Sequence, residues 1–433
     1  MKIIKKIRKK RRKLIRRFFK SPIKKRLAQY SKTHPRFRKC WKKILYTKRR
    51  IYYWWRGLGV TPDEKTVVFN SFNGKTYGCS PKAVYEYMLT QDEFKDWTFI
   101  WAFKNAKKHR FLEENPNTIV VKQTARVYEK KLIRAKYWIT NYRVPDHVWP
   151  KKDQVYVQCW HGTPLKRLGY DLETSENAID SIADIRKKYA MDAEKFNYIL
   201  SPSGFASEKF TSAWNLKETK MEDKVMEIGY PRNDFLINHT QEDIRMIKEK
   251  LEIPEDKKVI LYAPTWRENQ HLPGEGYQFQ LPVDFKRWRE VLGGEYVVLF
   301  RAHYFISNSF DFEAFQGFVY DVSQMDDINP LYLAADVLIT DYSSVFFDYA
   351  NLRRPILFFM YDYEQYKHEM RDFYFDIHML PGPVLMNQEE VLKTLKNLPN
   401  MVDKYEKKYA EFNNVFNPHR ERCSEKYLRE WMR

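Results

Sequence analysis

From Thr61 onward, short runs of β-branched and aromatic residues alternate with amphipathic stretches, and this alternation limits the fold more than any other feature of the chain. TVVFNSF (66–72), WTFIWAF (97–103), NTIVVK (117–122), YWITNY (137–142) and VYVQCWH (155–161) read as strands, with PKAVYEYML and TARVYEKKLIRA as helices between them. YILSPS and VMEIGYPRND follow, and QEDIRMIKEKLEI reads as a helix leading to a second series: KVILYAPTW, EYVVLFRAH, GFVYDVS, DVLITDYSS and PILFFMYD. Strands that alternate with helices imply parallel sheets covered on both faces. The expected fold class is therefore α/β, with two Rossmann-like halves meeting near residues 235–245. The expected domains are 1–58, 59–240 and 241–433. A chain of 433 residues fits two cores and an appendage.

The appendage explains the charge. The chain carries a net +21, yet residues 1–50 hold 24 Lys and Arg with no Asp or Glu, so residues 51–433 stand at −3. Wound at about 100° per residue, Ile3, Ile4, Ile7, Leu14, Ile15 and Phe18 fall in an arc of roughly 120°, interrupted by Arg11, on an otherwise cationic wheel. That is the pattern of a helix lying among lipid headgroups, and Pro22 is expected to end it. RFRKCWKKILYTKRRIYYWWRGLG then mixes Trp and Tyr with cations, a composition that favours a bilayer interface. The expected partner is an anionic membrane surface. A solvated arm is the competing reading, and nucleic acid is not expected because the body has no excess positive charge. No apolar run approaches the ~20 residues that cross a bilayer, and no signal-peptide core is present. Cys40, Cys79, Cys159 and Cys423 have neither disulfide-like nor metal-ligand spacing, so free thiols in a reducing compartment are expected.

In open α/β sheets, ligands collect beyond the carboxyl ends of the strands. Five polar clusters follow predicted strands directly: His161-Gly162-Thr163, Pro231-Arg232-Asn233-Asp234, Pro264-Thr265-Trp266-Arg267, Arg301-Ala302-His303 and Asp341-Tyr342-Ser343-Ser344. Together they predict one cleft between the halves. Ser343 or Ser344 is placed to cap a helix whose bare N–H groups would receive a phosphate; an ordinary cap is the alternative. Arg301 and His303, two apart on a strand end, could clamp phosphoryl oxygens, or His303 could be structural. Gly162 allows a close turn, and Thr163-Pro164 predicts a helix start beside His161. A base poised there would deprotonate a hydroxyl; a packing histidine is the alternative.

Taken together, WHGTPLKRLGYD, IGYPRND, YAPTWRE, FRAHY, DVLITDYSSVFFDYA and SFNGKTYGCSPKAVYEYM resemble the CDP-glycerol glycerophosphotransferase family, the teichoic acid primases and polymerases, over residues ~65–385. The resemblance implies a GT-B architecture, peripheral attachment at the cytoplasmic face of the plasma membrane, and no cofactor. It implies transfer of glycerol phosphate or ribitol phosphate from a CDP-polyol to a lipid-linked acceptor, with release of CMP. Carried over by position, His161 is the general base and His303 with Arg301 lies near the donor phosphates. Ser343 and Ser344 form the diphosphate turn, and Gly162, Thr163, Arg232, Asn233, Asp234, Thr265, Arg267, Asp348 and Arg371 bind substrate. The sequence departs from the family pattern at Asp372, at Cys79-Ser80 and near the C-terminus, without touching either histidine. A GT-B glycosyltransferase using a nucleotide sugar is the second expectation.

Overall fold

A computed structural model of the chain describes residues 30, 34–173, 181–265, 271–272, 276–277, 281–302, 312–364 and 373–432. The expected amphipathic helix within residues 1–27 lies outside them.

Helix α1 (Pro35–Gly57) and residues 145–149 form one compact unit. Proline at the first turn starts α1 without sacrificing a hydrogen bond, since that N–H has no helical partner anyway. The helix exposes large apolar side chains, among them Ile51, Tyr52, Trp54 (63% exposed) and Trp55 (60%). Within the same unit, the Arg50 guanidinium lies 4.5 Å from the centre of the Trp149 ring. No helix among the described residues is long and apolar enough to cross a membrane.

The remainder is a second compact unit built on two parallel sheets. The first contains β1 (Asp63–Asn70), β2 (Thr98–Phe103), β3 (Thr118–Lys122), β4 (Ala135–Thr140), β5 (Val155–Gln158), β6 (Tyr198–Ser201) and β7 (Val225–Glu227), in the order β3-β2-β1-β4-β5-β6-β7. The second contains β8 (Lys258–Ala263), β9 (Tyr296–Phe300), β10 (Val319–Asp321), β11 (Val337–Thr340), β12 (Ile356–Phe359) and β13 (Val384–Leu385), in the order β10-β9-β8-β11-β12-β13. Both orders begin 3-2-1-4-5-6, which reverses direction between β1 and β4 and between β8 and β11. Side chains of successive residues explain the continuous apolar runs. Val259, Leu261, Val297 and Leu299 enter one core layer, and Ile260, Tyr262, Val298 and Phe300 enter the opposite one, so both faces of the second sheet are buried.

Leu165 and Leu236, which precede the second sheet in sequence, join its core. In return, the last helix, Cys423–Trp431, packs Cys423, Tyr427, Leu428 and Trp431 into the core of the first. The Tyr427 hydroxyl donates to the carbonyls of Met226 (2.9 Å) and Gly229 (2.8 Å) at the end of β7. The C-terminal segment, which follows the second sheet in sequence, is thus part of the first in space.

Candidate active site

β5 ends at Gln158, and the chain turns out of the sheet through Trp160, whose φ of +49° is unusual for a bulky residue. The strained turn is held by Trp160 packing edge-on to the buried Trp214 at 4.8 Å. The next residue, His161, opens to solvent while protein surrounds its ring: Trp160 at 4.3 Å, Phe72 at 5.9 Å, and the Asn141 carbonyl. Nδ1 lies 3.1 Å from the Asn141 oxygen, and a carbonyl can only accept, so Nδ1 carries the proton. In the neutral ring this leaves the Nε2 lone pair available. Desolvation outweighs the opposing pull of the Asn141 carbonyl and, with smaller repulsions from Arg232 and Arg143, depresses the pKa from 6.5 to about 4.

Gly162 brings the first half against the second. A Cβ at this position would lie 2.7 Å from the Ser344 Oγ and 3.3 Å from its Cβ. The helix expected to start at Thr163-Pro164 does not form; Thr163 is buried, and the chain continues extended. Tertiary pairing overrides the local signal: Lys166 bridges Phe373, the Tyr374 N–H donates to the Leu165 carbonyl (3.0 Å), and the Leu168 N–H donates to the Tyr374 hydroxyl (3.0 Å). An anion-binding helix start beside His161 is therefore not supplied by its own segment.

On the other side of that contact, β11 ends at Thr340 and is followed by Asp341, whose Oδ1 accepts from Thr265 N (2.8 Å) and Tyr342 N (2.7 Å), drawing the ends of β8 and β11 together. Ser343 and Ser344 follow, half-buried, and lead into the short helix Val345–Tyr349. Neither was found as a side-chain cap: the helix has no side-chain cap bond, and Ser344 takes helical backbone angles with its hydroxyl facing Gly162. Arg301, after β9, spends Nη1 on the Val322 carbonyl (3.1 Å), and burial holds its pKa below the ordinary guanidinium value.

Three residues expected to contact substrate are committed elsewhere. Arg232 donates from Nη2 to Asp348 Oδ1 (2.9 Å) and from Nε to Asp348 Oδ2 (3.1 Å), with its guanidinium 3.8 Å from the Tyr230 ring centre. Both partners are buried. Burial opposes the Arg232 charge, yet the Asp348 carboxylate more than compensates and raises its pKa. Asp234 accepts from Cys423 N (2.9 Å) and Ser424 N (2.8 Å), so it caps the C-terminal helix, whose own N-cap residue Arg422 provides no side-chain bond. Arg232, Asp348 and Asp234, expected to bind substrate, make these contacts within the protein. Asn233 is buried, with no partner for Oδ1 among the described residues.

The halves also meet where Asp326 and Asp327 enter a basic recess. Lys108 Nζ lies 2.5 Å from Asp326 Oδ1, His109 Nε2 2.7 Å from Asp326 Oδ2, and Lys82 Nζ 2.6 Å from Asp327 Oδ2. Burial would raise the Asp326 carboxyl, but the Lys108 and His109 contacts and the Tyr77 N–H outweigh it and hold the pKa below its ordinary value.

His161, Gly162, Ser344 and the Thr265-Asp341 junction are thus brought to facing strand ends. His303, Arg267 and Arg371 lie outside the described residues. Asn141 and Arg143 were missed in the sequence, although YWITNYR shows the same signal used elsewhere, an apolar strand broken by polar residues.

Known proteins resemble this chain over most of its length. A sequence profile described as CDP-Glycerol:Poly(glycerophosphate) glycerophosphotransferase matches residues 56–430. The teichoic acid poly(glycerol phosphate) polymerase of Bacillus subtilis (strain 168) is 40% identical over 354 residues, 81% of this chain and 46% of that protein. The chain spans about half the length of that relative and of the Staphylococcus epidermidis polymerase, 46% and 48%. The teichoic acid glycerol-phosphate transferase of Staphylococcus aureus (strain NCTC 8325 / PS 47) is 37% identical over 84% of this chain and 91% of its own length. A solved structure of a variant of the wall teichoic acid polymerase TagF, soaked with CDPG, superposes with a TM-score of 0.80 at 35% identity, covering 92% of this chain and 96% of that one.

Proposed function

The chain belongs to the CDP-glycerol:poly(glycerophosphate) glycerophosphotransferase family, and from that premise we propose that it transfers glycerol phosphate or ribitol phosphate from a CDP-polyol to a hydroxyl of a membrane-linked acceptor. In this reading it is a GT-B enzyme. Residues 59–240 serve the acceptor, 241–433 the nucleotide, and 1–58 rest on the anionic cytoplasmic face of the plasma membrane.

The observation that carries the reading is the oriented imidazole. With Nδ1–H donated to Asn141, the His161 Nε2 takes the acceptor proton while the hydroxyl oxygen attacks the distal phosphorus of the donor. The new P–O bond forms as the bond to the CMP oxygen breaks, and CMP leaves with the electron pair. The distal phosphoryl group and the charge developing on its oxygens meet N–H and O–H donors at Ser343 and Ser344, and Arg301 and His303 are assigned to the same phosphates. Gly162, Thr163, Asn233, Thr265, Arg267 and Arg371 are assigned to substrate binding. Arg232, Asp348 and Asp234 act indirectly, by fixing the facing strand ends. Exposed Trp54 and Trp55 among the cations of α1 support the membrane assignment.

Incubation with CDP-glycerol or CDP-ribitol and a lipid-linked acceptor, followed by mass measurement of the lipid product, tests the proposal. Growth by phosphopolyol units supports it; no growth with either donor removes it.

A further inference from the structure

Arg143 lies two residues beyond Asn141, on the loop that leaves β4 where the strand order of the first sheet reverses. It is half-buried, and its Nη1 is shut off from solvent. Among the described residues it has neither a hydrogen-bond acceptor nor a carboxylate partner; its one neighbour of note is the Tyr189 ring, 5.0 Å from its guanidinium carbon. Among the described residues, three other guanidiniums of the sequence motifs are engaged: Arg232 with Asp348, Arg301 with the Val322 carbonyl, Arg167 with Glu173. On the same loop, the fully buried Asn141 also has an Nδ2 with no acceptor. A half-buried guanidinium is normally satisfied, because its donors lose water without compensation. Here an acceptor is missing beside the base, and the Arg143 charge is already felt at the His161 ring.

We propose that Arg143 determines acceptor specificity by binding the phosphodiester next to the attacking hydroxyl, so that an acceptor already ending in a phosphopolyol is taken in preference to a neutral one. This rests on the transferase reading above. The donor phosphates have their own groups on the second sheet, whereas Arg143 belongs to the first and shares a loop with the carbonyl that orients His161. A guanidinium suits a phosphodiester because its paired N–H groups match two phosphoryl oxygens.

The test compares two soluble acceptors with the same terminal hydroxyl, glycerophosphoglycerol and a neutral glycerol glucoside, on the full chain at saturating CDP-glycerol. Arg143→Gln is expected to raise KM for glycerophosphoglycerol about 10- to 100-fold, with kcat, donor KM and the neutral acceptor little changed. Arg143→Lys is expected to recover part of the loss. Equal losses on both acceptors, or no loss, would overturn the assignment. If wild type uses neither acceptor, the transferase reading fails, but titration of glycerophosphoglycerol into wild type and the lysine and glutamine variants still decides the point. Weaker binding by the variants supports the role of Arg143, and equal binding removes it.

Discussion

Gly162 and Ser344 lie at the ends of strands in different sheets, and a Cβ on the glycine would stand 2.7 Å from the serine hydroxyl. Contact this close leaves room for hydrogen alone. Gly162→Ala must displace the Ser344 side chain, the group assigned to the donor phosphates. Overpacking of this kind costs about 1–3 kcal/mol. The expected outcome is a donor KM raised about 10-fold, with a smaller effect when Ser344→Ala is already present, because the two changes act on one contact. Strictly additive effects in a steady-state double-mutant cycle would show that the positions do not communicate.

The His161 pKa of about 4 gives a pH signature. The free enzyme keeps its base neutral well below pH 6.5, so the acid limb of kcat/KM is expected near 4, and a limb near 6.5 would contradict the desolvated setting of the ring. Stability has the same origin. Below 6.5 the unfolded chain binds a proton that the folded imidazole refuses, so stability falls as pH drops from 6.5 towards 4. Thermal unfolding across that window should slope less in His161→Gln.

Replacement of Arg232 tests whether it is structural. Arg232→Met leaves the Asp348 carboxylate buried without its partner, a loss of about 3–5 kcal/mol, and Arg232→Met with Asp348→Leu should recover most of it. Urea unfolding reads both. A variant of full stability with only a raised donor KM would return Arg232 to the substrate.

The sequence made the strands legible because each is an apolar run that breaks at a polar cluster. What it left hidden depended on distant pairing. Thr163-Pro164 has the local chemistry of a helix start, but residues 165–168 bond with Phe373 and Tyr374, some two hundred positions away. Arg232 and Asp348 were both expected to bind substrate; only the closeness of the two sheets makes them a buried pair. Asn141 and Arg143 were legible in principle, since YWITNYR ends as the other strands do.

Asp234 illustrates the same limit and can be tested separately. Asp234→Ala is expected to cost about 1 kcal/mol and to raise hydrogen exchange at Cys423 and Ser424, the two amides it now holds. Unchanged exchange there, with a loss of donor binding instead, would favour the substrate role.

Single-turnover release of nucleotide from CDP-glycerol by wild type and His161→Gln tests the transfer mechanism most directly. Wild type is expected to release CMP, and the variant to do so about 10²–10⁴-fold more slowly while binding the donor as before. Release of CDP in place of CMP, or a variant as fast as wild type, would contradict the assignment of His161 as the base in phosphopolyol transfer.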